Sequence, residues 1–169
     1  MTTSESIELH FNDADSKLYG KLHAARHDLA AAQSYGLFLL KKRWKAKPWS
    51  RGSTYLQQSA FVTAMVTSYG RAFGGSRGWP QFPKELLDAY DTAEGALHRN
   101  VIRLRHQGYA HSDSQSYFVR PWRSDYHTDI EQVPILEFDA ASTQTLVTMS
   151  QKMMAAVGTA MHRIKDRYP

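Results

Sequence analysis

The stretch Arg103-Leu104-Arg105-His106-Gln107-Gly108-Tyr109-Ala110-His111-Ser112-Asp113 places two guanidinium groups, two imidazoles and a carboxylate within a few residues of one another. That set of groups suits the cleavage of RNA. The RNA 2′-hydroxyl attacks the neighbouring phosphate once a base takes its proton. Histidine has the intrinsic pKa for that step, or for protonating the leaving oxygen. Arginine is always charged and offers a fork to phosphate oxygens, so it can hold the charge that builds in the transition state. Arg105 falls at the flank of an apolar helical stripe, where it would reach a cleft edge. His111 follows the Gly108 break, on backbone able to fold back toward Arg105, and Asp113 is near enough in sequence to orient an imidazole. The scheme needs no metal. The same residues also have a structural reading: Arg105 capping helix carbonyls or pairing with a carboxylate, and His111 fixing a turn.

Other constellations are less specific. His23 and His27 share a helix face at zinc-binding spacing, but residue 24 is Ala where the zinc-protease motif has Glu, and the pair lies opposite the apolar stripe. Solvated surface is the expectation there. Gly70-Arg71-Ala72-Phe73-Gly74-Gly75-Ser76-Arg77-Gly78 matches neither the P-loop nor the dinucleotide fingerprint, and reads as a connector between helices. There is no Gly-x-Ser-x-Gly elbow. The absence of cysteine excludes disulfides, cysteine-ligated zinc and a thiol nucleophile. No cofactor is called for. The basic and aromatic loop 117–126, with Trp122 between Arg120 and Arg123, could stack a base or pack on its own domain.

The elements that would position these groups are mostly helical. Residues 1–12 read as a flexible N-terminal arm, and 13–169 as a single helical domain. Asp13 or Asp15 is expected to cap a first helix with Leu18, Leu22, Ala25, Leu29 and Ala32 on one face, closing in the basic stretch 41–47 before Pro48. A second helix starts near 50–53 and runs to Phe73, with Leu56, Ala60, Thr63, Val66 and Phe73 along one side. Pro83 opens a third, striped by Leu86, Tyr90, Ala93, Leu97, Val101 and Leu104 and ended by Gly108. Residues 112–139 break the helical period. Tyr117-Phe118-Val119 and Val133-Pro134-Ile135-Leu136 suggest a small hairpin or an ordered loop. Asp139 or Ser142 caps a last helix carrying Leu146, Met149, Met153, Val157, Ala160 and Ile164, with Lys165 and Arg167 in its last turn. The fold class is therefore all-α: a bundle of about four long helices with a short irregular or hairpin insertion before the last.

A chain of 169 residues is long enough for one domain with a real core. Lysine and arginine outnumber aspartate and glutamate, 21 to 16, for a net charge of +5. That leans toward anionic partners without requiring one. The polar, acidic residues 1–15 show no signal peptide, and no apolar run is long enough for a bilayer, so a cytoplasmic protein with no membrane association is expected.

Arg105 through His111 resembles the Arg-x(4–6)-His motif of the HEPN superfamily, helical domains of toxins, antiviral systems and RNA-processing factors. The bare motif also fits Arg99 with His106 and Arg120 with His127. The surroundings are more specific. Arg105, His106, Ala110, His111 and Asp113 are similar to the Arg-(Asp/Asn/His)-x-x-x-Ala-His-x-Asp stretch of many bacterial HEPN-like proteins, and Tyr69-Gly70-Arg71-Ala72-Phe73 looks like their Tyr-x-Arg-x-Phe segment. Gln107 departs from the lysine common there, and the insertion 112–139 is not part of a minimal HEPN bundle. The resemblance implies a metal-independent endoribonuclease of a toxin–antitoxin or antiphage system, or else a non-catalytic module that binds nucleotide, RNA or protein. It implies a homodimer whose cleft is lined by Arg105 and His111 of both subunits, with His106 as an auxiliary polar group, and a possible antitoxin partner. Arg103, Tyr109 and Asp113 would line the substrate. Arg71 would be either an anion contact or, as its position favours, a structural ion-pair partner.

Overall fold

The computed structural model describes residues 8–45, 52–75, 77–106 and 138–168, together with the backbone of 118–121 and 129–132. Four main helices make up the structure: α1 (Asp13–Lys42), α2 (Thr54–Phe73), α3 (Thr92–Leu104) and α4 (Ala140–Lys165). A 3-10 piece (Lys84–Ala89) precedes α3, and a two-stranded ribbon, β1 (Phe118–Pro121) and β2 (Asp129–Gln132), lies between α3 and α4 in sequence. The all-helical bundle expected from the periodicity is what forms.

α1 is the central element, lying against both α2 and α4. Its buried residues Leu22, Ala25, Leu29, Ala32 and Leu39 follow the three-and-four spacing of an amphipathic helix. They meet Val62, Met65, Val66 and Tyr69 of α2, and Leu146, Met149, Met153 and Val157 of α4, in one continuous core. The α3 end adds Val101 and Leu104. Among the described residues no helix is long and apolar enough to cross a membrane.

The α1 start is set one residue earlier than expected. Asn12, not Asp13 or Asp15, is the cap, and its side chain accepts from the Asp15 backbone N–H at 2.8 Å. Asp15 serves a different purpose: it is nearly buried, and it accepts from Arg167 at 2.8 Å and from the Tyr168 hydroxyl at 2.7 Å. Arg167 lies beyond the end of α4, not in its last turn, and ties that end to the start of α1. Phe11, assigned to the arm, packs its ring against Tyr19 and Tyr168. α1 closes at Lys42 because Arg43 adopts left-handed backbone (φ 51°) and returns its N–H to the Leu39 carbonyl.

The apolar face of α2 differs from the expected stripe. Leu56 is 69% exposed, while Val62, Met65, Val66, Tyr69 and Ala72 are buried. The helix has two overlapping apolar stripes, and packing against α1 selects the one centred on Met65.

The third helix is interrupted. Pro83 leads into the 3-10 piece, and Tyr90 is extended (φ −94°, ψ 139°). Asp91 then starts α3 with a reciprocal capping box, accepting from Glu94 N at 2.8 Å while the Glu94 carboxylate accepts from Asp91 N at 3.0 Å. The other Glu94 oxygen takes Lys152 of α4 at 2.7 Å. α3 ends at Leu104 and widens into a π turn at residues 105–106; Gly108, its expected end, lies outside the described residues. In the ribbon, Phe118 pairs with Gln132 and Pro121 with Asp129, antiparallel. β1 overlaps the first expected strand. β2 precedes Val133 to Leu136, which lie outside the described residues. Asp139 caps α4 as expected, accepting from Ser142 N at 2.7 Å.

Candidate functional site

Arg105 reaches the site by lying across α2. Its aliphatic stem runs over Gly70, where a Cβ would come within 2.7 Å of the Arg105 Cγ. Only glycine allows so close an approach. Gly70 is a buried residue inside α2, which ends at Phe73 as the sequence predicts, so the connector takes in only the later part of the 70–78 glycine-rich stretch, from Gly74. Nη1 of Arg105 stands 3.2 Å from Nδ1 of His106, and since guanidinium only donates, that imidazole nitrogen accepts. The Arg105 Nε is buried and has no hydrogen-bond partner among the described residues. A buried donor left without an acceptor is unfavourable by about 1–3 kcal/mol.

The neighbouring cations are placed differently. Arg71 gives Nε and Nη2 to Asp28 Oδ1 of α1, at 3.2 and 2.7 Å, which is the ion-pair reading of the two considered for it. Arg103 is exposed and donates to Asn100 at 2.7 Å. Arg99 and Arg103 lie on the exposed face of α3, and His106, in the π turn that follows, is exposed at the same helical spacing. Tyr109, His111 and Asp113, like Trp122, lie outside the described residues. His23 and His27 are exposed, and among the described residues no group of three or more histidines and carboxylates is close enough to hold a metal ion.

A small pocket of about 210 Å³ opens beside Arg105, between the end of α2, the 3-10 piece and α3. Gly70, Phe73, Phe82, Lys84, His98 and His106 line it. Of these His98 is the residue that sequence reasoning missed. Its Nδ1 lies 3.0 Å from the Tyr69 hydroxyl, and its ring meets Phe73 edge-on with centroids 4.6 Å apart. Tyr69 donates to the Tyr90 hydroxyl at 3.1 Å, and Tyr90 donates to the Met149 carbonyl at 3.3 Å. Each tyrosine has a single proton, and both are committed by this chain. Nδ1 of His98 must therefore be the donor to Tyr69, and in the neutral ring Nε2 carries the free lone pair. The motif-like Tyr69 and Phe73 thus have a physical role: both pack on His98.

Burial sets the protonation of this cluster. Desolvation, and then the charge of Arg99, hold the His98 pKa below its ordinary value. Desolvation pushes both Tyr69 and Tyr90 well above the usual phenol range, so their protons stay in place. Lys21 of α1 is buried and donates to the Gly74 carbonyl at 2.7 Å; desolvation lowers its pKa against the opposing pull of Asp28.

A histidine with a lowered pKa binds its proton less readily folded than unfolded. Its stability contribution is complete above the unfolded value, about 6.5, and is lost as pH falls through that value toward the folded one. Urea denaturation is therefore expected to show falling stability from about pH 7.5 to about pH 5.5. His98→Asn, whose amide can still donate to Tyr69, should flatten that slope.

No protein-family model matches the chain, and no curated protein or solved structure matches it.

Proposed function

We propose that this chain is a HEPN-like RNA-binding protein that cleaves RNA without a metal, using Arg105 and His111. The observation that carries this reading is the placement of Arg105: its stem lies over Gly70 and its Nη1 meets His106, and both of those residues line a pocket with Lys84. An arginine so placed suits an incoming phosphate oxygen. The net charge of +5 favours the same class of partner.

In this mechanism Arg105 holds the scissile phosphate and His106 assists as a polar neighbour. The 2′-oxygen bonds to phosphorus and the 5′-oxygen leaves, giving a cyclic 2′,3′-phosphate and a free 5′-hydroxyl. His111 moves the proton, taking it from the 2′-hydroxyl or giving it to the leaving oxygen. A symmetric homodimer would bring a second Arg105–His111 pair to the same cleft. A toxin or antiphage role, with an antitoxin protein as partner, accompanies this reading.

The test is RNA cleavage by purified wild type and His111→Ala in excess EDTA. Cleavage by the wild type is expected, with a loss of about 100-fold or more in the variant. Equal cleavage by both would remove His111 from the chemistry. Absence of cleavage by either folded protein would leave a non-catalytic nucleotide- or RNA-binding module, detected by salt-sensitive binding.

A further inference from the structure

The geometry points to the pocket beside Arg105 as a seat for one nucleobase, held edge-on by a base N–H donated to Nε2 of His98. This inference rests on reading the chain as an RNA- or nucleotide-binding protein, and it names the part of the ligand that reading leaves open.

Three observations meet here. The first is size. At about 210 Å³ the pocket lies below the roughly 300 Å³ at which sites for drug-sized ligands begin. It suits one planar ring system and not a whole ligand. The second is shape and surface. Phe73 and Phe82, with centroids 4.9 Å apart at 67°, form an aromatic corner on which a base could lie. The third is polarity. The chain from Met149 through Tyr90 and Tyr69 fixes His98 as an acceptor, because its one ring proton is already given to Tyr69. A pocket whose inner imidazole accepts selects a ligand edge that donates. Phosphate carries no N–H and ribose offers only hydroxyls on a puckered ring, whereas every nucleobase presents an N–H along a planar edge: the ring N–H of guanine and uracil, the exocyclic amino group of adenine, cytosine and guanine. The exposed Lys84 and His106 line the pocket, and Arg105 meets His106 at 3.2 Å, so cations are at hand for the attached phosphate.

The binding is to be measured by calorimetry for the four nucleoside 5′-monophosphates, for ribose 5-phosphate and for inorganic phosphate. The ring nitrogens of ¹⁵N-labelled histidine are to be followed by NMR in the same titrations. At least one nucleotide should bind about 10-fold more tightly than ribose 5-phosphate, the worth of one good hydrogen bond. The His98 Nε2 signal should move with that nucleotide and stay in place with ribose 5-phosphate. His98→Asn keeps a donor for Tyr69 but has no group in the Nε2 position, so it should bind nucleotide only as well as ribose 5-phosphate. If that variant does not fold, the wild-type signal decides alone. No nucleotide exceeding ribose 5-phosphate, or a His98 signal that stays still while one does, overturns the proposal. The two readings fail separately. His111-dependent RNA cleavage with a silent His98 removes the base seat alone, and a nucleotide-specific His98 shift without cleavage removes the ribonuclease alone.

Discussion

Arg105→Met is expected to reduce RNA turnover by about 100-fold or more while leaving the melting temperature unchanged or slightly raised. Methionine keeps an unbranched apolar stem, so the contact over Gly70 survives. What disappears is the guanidinium, including the Nε that is buried without an acceptor among the described residues. Losing the unsatisfied Nε relieves a desolvation cost, which offsets the loss of the exposed Nη1–His106 hydrogen bond. A side chain retained for stability would behave the opposite way, and a clear fall in melting temperature with turnover intact would assign Arg105 a structural role. Arg105→Lys refines the result. It keeps the charge but loses the fork, so recovery of turnover by lysine would show that charge alone suffices. Thermal melts and cleavage rates on the same preparations separate these outcomes.

Gly36→Ala is expected to give the largest loss of stability from a single added methyl group. Gly36 lies on the face of α1 that meets both α2 and α4. A Cβ there would stand 2.5 Å from Val147 Cγ2 and 3.2 Å from Met65 Sδ. Two effects oppose each other. Alanine improves helix propensity by about 1 kcal/mol, while overpacking a close-packed core costs about 1–3 kcal/mol or more. The clash wins because Val147 is β-branched and has one favoured rotamer in a helix, whereas the flexible Met65 can adjust. A net loss of about 2 kcal/mol corresponds to roughly 4–8 °C in melting temperature for a chain of this size. Adding Val147→Ala should restore part of it. An unchanged melting temperature in the single variant would mean that α1 and α4 separate at this point with little cost.

The readable parts of the sequence are those governed by one constraint. α1 and α4 each have a single apolar face, so periodicity alone locates their cores. α2 has two, and the choice between them is made by its neighbours. The break before α3 was legible as Asp91-Thr92-Ala93-Glu94, a capping box, but Leu86, Tyr90 and Ala93 continue the helical period across it and conceal the stop. Arg105 could be singled out from its local string. His98 could not, because its meaning depends on Tyr69, 29 residues earlier on another helix, and on Tyr90 at the end of the 3-10 piece. Gly70 is similar: nothing in its own segment explains a glycine inside a helix, and the stem of Arg105 does.

The ion pair between Asp15 and Arg167, 152 residues apart, has a consequence for how the molecule comes into being. Of the described helices α1 is made before the others, yet one of its two main partners, α4, leaves the ribosome after α2 and α3. Until then the side of α1 that meets α4 has no apolar cover, and α2 alone can shelter only the other side. Assembly must wait for a contact of very long sequence separation, which slows folding relative to bundles built from adjacent hairpins. A nascent chain stalled before α4 would be a sticky, incompletely packed intermediate, open to chaperones and to aggregation.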